Sequence, residues 1–122
     1  MSQSVTRVLP RRRKSVREKL VFKDTTSAAE FKLYVTVGID PADGKIGEIF
    51  IRSGGASGKN SMMHRMLDVE AVLASHLLQR GMSLETLAKA IGSDTPLADA
   101  VQIAIRLQKE EIDAWPPGVA LL

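Results

Sequence analysis

Residues 30–53 read EFKLYVTVGIDPADGKIGEIFIRS, and the fold class turns on them. From Phe31 the apolar residues alternate. Phe31, Leu33, Val35, Val37 and Ile39 face one way, and Lys32, Tyr34 and Thr36 face the other. That period of two predicts a half-buried strand. Asp40-Pro41-Ala42-Asp43-Gly44 then reverses the chain, because proline presets φ and Asp-Gly supplies a left-handed position at low cost. From Lys45 to Ser53 a second strand follows, with Ile49 and Ile51 on one face and Ile46, Glu48 and Phe50 on the other. The two strands pair as an antiparallel hairpin.

Upstream, a short strand is expected from Lys19 through Phe22, with a turn at Asp24–Ser27. Residues 1–17 are polar and basic, and Pro10 interrupts any helix there. Downstream the period changes to a helical one. Met62, Met66, Val69, Leu73 and Leu77 recur at helix spacing, with Asn60 or Ser61 as cap and Gly81 as stop. A second helix starts after Ser83, carries Leu84, Leu87, Ala88 and Ile91, and stops at Gly92. Pro96 opens a third, with Leu97, Val101, Ile105 and Ile112 on its apolar face, and Trp115-Pro116-Pro117-Gly118 closes it. The expected architecture is α+β: a small antiparallel meander packed against about three C-terminal helices. It divides into a flexible basic arm at 1–17, one domain at 18–115 and a tail at 116–122.

Composition narrows the chemistry. The 122 residues suit a single domain with one aliphatic core, since only 4% are aromatic. No cysteine occurs, which rules out disulfides and thiol catalysis and suits the cytoplasm. No apolar run is long enough for a membrane span. The net charge of +3 is unevenly spread. Residues 1–23 hold eight bases and one acid, and the rest hold nine bases and thirteen acids. Arg11, Arg12, Arg13, Lys14 and Arg17 therefore form a candidate polyanion-binding arm.

RSGGASGKNS (Arg52–Ser61) imitates a phosphate loop without being one. That motif needs glycine at 53 and a hydroxyl at 60, where this chain has Ser53 and Asn60. Lys59, Asn60 and Ser61 at a helix start remain a candidate anion site. His64 and His76 are twelve residues apart on one helix, which sets them on different sides of it, so they share no metal. Met62, Met63, Met66 and Met82 serve either as core filler or as an adaptable contact surface. Glu70 falls inside the apolar stripe, at its rim. Met82–Leu107 has the outline of a helix-turn-helix around Leu87–Gly92, yet its second helix offers Asp99 and Gln102 and no base before Arg106.

Taken together, EFKLYVTVGIDPADGKIGEIFIRSGGASGKNS and LASHLLQRGMSLETLAKAI resemble the TSCPD domain. The resemblance rests on Tyr34-Val35-Thr36, Asp43-Gly44, Gly47-Glu48-Ile49-Phe50-Ile51, and then Ser75, Leu78-Gln79, Gly81 and Leu84-Glu85. The basic lead-in LPRRRKSVREKLVF is similar too, so the likeness runs over residues 8–92. The third helix has no placed counterpart, and the cysteine motif that names the family is missing. That domain is known as the C-terminal module of adenosylcobalamin-dependent ribonucleotide reductases and also as a short separate protein. The resemblance implies an accessory or regulatory part in deoxyribonucleotide supply, with a reductase large subunit as partner and adenosylcobalamin only by that association. It implies no catalysis by this chain alone, which lacks the reductase's radical-forming cysteine. The alternative is a nucleic-acid-binding protein that uses the basic arm and the helical hairpin; self-association is compatible with either.

Overall fold

A computed structural model describes residues 14–53 and 62–114, with side chains through residue 110. Three strands, β1 (Lys14–Lys23), β2 (Glu30–Ile39) and β3 (Ile46–Ser53), precede three helices, α1 (Met62–Gln79), α2 (Leu84–Ile91) and α3 (Pro96–Ala114). The strands form one antiparallel sheet in the order β1-β2-β3. The architecture is thus α+β, as the alternation and the later helical spacing imply.

In β2 the expected apolar side is the buried one. Leu33, Val35, Val37 and Ile39 are at most 1% exposed. Ile49 and Ile51 join them from β3, and Leu67, Ala71, Leu78, Leu87, Val101 and Ala104 from the helices. All three helices therefore lie on the same face of the sheet, and the described helices leave the other face uncovered.

Two features of the sheet depart from the expectation. β1 begins at Lys14, not Lys19, so Lys14 and Arg17 belong to a paired strand. Its inward side is Val16, Glu18, Leu20 and Phe22. Glu18 breaks that apolar alternation, and the reason lies 88 residues away: Arg106 of α3 donates to its carboxylate and also reaches Glu110. The pair fastens an edge strand to α3. Arg106 is exposed and Glu18 partly so, and solvent screens the pair, so Arg106→Ala should move the urea midpoint only slightly. A midpoint shift as large as that of a core truncation would contradict a surface role.

The second departure is Ile46, expected beside Glu48 and Phe50. It is 3% exposed and belongs to the core. Ile39 faces Ile46 while Gly38 faces Glu48, so β3 carries one extra residue, Gly47, at this point. Such a bulge reverses the parity of the strand, and a period-two reading cannot see it. Beside it, the Glu48 carboxylate folds across Gly38, where any Cβ would overlap Oε1.

The turns and caps follow the local signals. Asp40 Oδ1 accepts from Ala42 N–H, and Gly44 takes φ 72°. Asp24 accepts from Thr26 and Ser27 in the β1–β2 turn, and those hydroxyls, Ser27 first, hold its carboxyl below the usual range. α1 ends as a Schellman motif: Met82 N–H donates to Leu77 C=O, Gly81 N–H donates to Leu78 C=O, and Gly81 takes φ 105°. Ser83 caps α2 through Thr86 N–H, Gly92 ends it, and Thr95 caps α3 through Ala98 N–H. The expected closing segment, Trp115–Gly118, lies outside the described residues, as does the tail.

Candidate functional site

α1 carries two apolar stripes. Leu67, Ala71, Ala74 and Leu78 are buried against the sheet, chiefly on β3. Met62, Met66, Val69, Val72, Leu73 and Leu77 point outward, between 39% and 63% exposed. The bulkier stripe is therefore the outer one, and of the four methionines Met62 and Met66 lie on a surface while Met63 and Met82 pack on the core.

The reason is the distance at which α1 sits. β3 is an edge strand, and its free backbone groups must find partners. Ser75 Oγ accepts from Ile49 N–H at 2.9 Å and lies 3.1 Å from Ile49 C=O. Its own proton has a nearer acceptor in Ala71 C=O at 2.8 Å. Gln79 Nε2 donates to Gly47 C=O at 3.1 Å, and Ile46 N–H donates to Gln108 Oε1 at 2.9 Å. A helix close enough for a serine to reach a strand backbone has room only for small residues between, so Ala71 and Ala74 face inward. The large side chains then face solvent.

Met62, Met66, Val69 and Leu73 are spaced four, three and four residues apart, the interval of a helix–helix seam. With Arg65 and Glu70 at its rim, the Met62–Val69 part forms a shallow apolar trough. A contiguous apolar strip of this size is a feature of interaction surfaces. Glu70 is half-buried at that rim.

The other candidate groups are dispersed. Lys59, Asn60, Ser61, Arg11, Arg12 and Arg13 lie outside the described residues. Lys14 and Arg17 are on β1, and the Arg17 guanidinium stands 4.3 Å over the Tyr34 ring. His64 is 3.9 Å from Asp68 on the same helix, and His76 is exposed elsewhere on it. Among the described residues no group of three or more His, Asp or Glu side chains could hold a metal. No described helix is long and apolar enough to cross a membrane.

The helical hairpin gives DNA little to approach. α3 buries Leu97, Ala98, Ala100, Val101, Ala104 and Leu107, so it is a core helix. Burial, with the Asp94 carboxylate beside it, pushes the Asp99 carboxyl up, which marks the start of α3 as electronegative. Arg106, its first base, is engaged by Glu18 and Glu110. Ahead of Lys109, then, α3 offers phosphate no unengaged base.

These features define a small α+β module with an exposed apolar stripe on α1, its Ser75 and Gln79 side chains spent on holding that helix to the sheet edge. The chain belongs to the TSCPD domain family, whose model matches residues 6–110. The match extends past residue 92 into α3, so the third helix is part of the family's domain after all. No curated protein and no solved structure matches the chain.

Proposed function

We propose that this chain is a non-catalytic accessory module that docks on a ribonucleotide reductase through the outer face of α1, serving deoxyribonucleotide supply. TSCPD domains are associated with ribonucleotide reductases, which supplies the partner class. The observation that carries the reading is the row of large apolar side chains on α1 that the described fold leaves exposed. Adenosylcobalamin, in this reading, stays with the reductase chain.

Purified chain titrated with the catalytic chain of an adenosylcobalamin-dependent reductase from the same source should form a complex by calorimetry. Met66→Asp should weaken it at least about tenfold, because a buried unpaired carboxylate at a contact centre is strongly unfavourable. Its melting temperature should stay near wild type, since Met66 is 54% exposed. Absence of a complex at tens of micromolar, or unchanged affinity in the variant, sinks the proposal. A dimer of this chain that Met66→Asp dissociates would assign the face to self-association instead.

A further inference from the structure

The face of the sheet turned away from the helices has a composition that the docking role leaves unused. Its rows follow from strand register. Lys19, Tyr34 and Arg52 lie side by side across the three strands, and Arg17, Thr36 and Phe50 form the next row. On the other side of the tyrosine row, Val21 pairs with Lys32, and beyond that Lys23 pairs with Glu30. Arg17, Lys19, Lys23, Lys32 and Arg52 are all exposed. Among the described residues none of these five is within ion-pair reach of a carboxylate. The acids of this face stand at its ends, Glu30 beside Lys23 and Glu48 folded over Gly38.

At the centre are two rings. Tyr34 has cationic neighbours on both adjacent strands and the Arg17 guanidinium above it. Phe50, 37% exposed, sits diagonally from Tyr34 on β3, a step that spans roughly 7–8 Å between Cα atoms. Aromatic rings on a strand surface, Phe50 exposed and Tyr34 partly exposed beneath the Arg17 guanidinium, with cations around them, match a ligand that presents flat bases and a regular row of negative charge. Cations alone would suit any polyanion. The rings are what select for unpaired bases, which expose their faces for stacking.

We infer that the outer sheet face binds single-stranded nucleic acid, with Tyr34 and Phe50 as stacking platforms and Arg17, Lys19, Lys23, Lys32 and Arg52 as phosphate contacts. This is independent of α1 and of the reductase. It also differs from binding by the basic arm or by α3, because every residue it uses is on the sheet.

The test is fluorescence anisotropy of the full chain with labelled oligouridylate and oligothymidylate twelve nucleotides long, an equal-length duplex, and polyphosphate of matched charge. Both single strands should bind more tightly than the duplex or polyphosphate. Five phosphate contacts predict that log affinity falls against log salt with a slope of about −3 to −4. Tyr34→Ala should weaken binding about tenfold, and Arg52→Glu, on an exposed side chain, should do so without disturbing the fold. The uridylate and thymidylate arms tell RNA from DNA. No binding at 50 mM salt overturns the inference. So does polyphosphate binding as tightly as oligonucleotide with Tyr34→Ala silent. Replacement of Arg11, Arg12 and Arg13 by alanine abolishing all binding while the sheet variants leave it intact would overturn it too.

Discussion

Ile51→Ala should destabilise the protein by about 2–5 kcal/mol, measured as a shift in the urea midpoint at unchanged slope. Ile51 is 1% exposed, faces Val35 across the sheet and lies in the layer that the helices cover. Its truncation removes apolar burial and leaves a cavity that close-packed neighbours cannot fill. A domain of this size has a total stability of about 5–15 kcal/mol, so much of the margin would disappear. The neighbouring residue provides the control. Phe50 points to the opposite face, and Phe50→Ala should lower stability by less than about 1 kcal/mol. Equal losses at the two positions would show that the sheet is covered on both sides, contrary to the structure.

Ser75→Ala should cost about 1–3 kcal/mol, although it deletes one oxygen. The loss comes from the strand and not from the helix. Without Oγ, the Ile49 amide at the buried edge of β3 has no acceptor, and an orphaned buried donor bears its full desolvation penalty. Native-state hydrogen exchange can locate the effect: exchange at Ile49 should accelerate more than at the β2–β3 ladder amides. Ser75→Cys, which fits the space but accepts weakly, should fall between. If Ser75→Ala left both stability and Ile49 exchange unchanged, α1 would not be closing the edge.

Much of this fold is legible in the chain itself. The β2 alternation, the Asp43-Gly44 reversal, Gly81, the Ser83 cap and Pro96 each act over a few residues, and each sits where local chemistry puts it. What resists reading depends on partners far away. Glu18 obscures β1 because Arg106 is 88 residues distant. Ile46 joins the core only through a bulge defined by pairing with β2. The outward stripe of α1 is intelligible only once Ser75 is known to grip β3, although Leu67, Ala71, Ala74 and Leu78 already announce a second, slimmer stripe. Ser75, Leu78 and Gln79, on which the resemblance rests, are architectural: two hydrogen-bonding side chains around a core leucine. The make-up of the outer sheet face is hidden in the same way. In the sequence Arg17 reads as part of a basic arm, and Tyr34, Phe50 and Arg52 become neighbours only across strands.

The grip of α1 on β3 also makes the sheet one-sided in how it can grow. With Ile46, Gly47 and Ile49 satisfied by side chains of the same molecule, no foreign strand can be appended along that stretch of β3. Among the described residues the longer border is β1, where Lys14, Arg17, Lys19 and Lys23 put positive charge along the strand. Two copies meeting there would repel each other, as edge lysines do in many monomeric sheets. An extended acidic peptide would meet no such barrier. A crowded solution of this protein should therefore resist fibre formation at low salt and become more prone to it as salt screens that border.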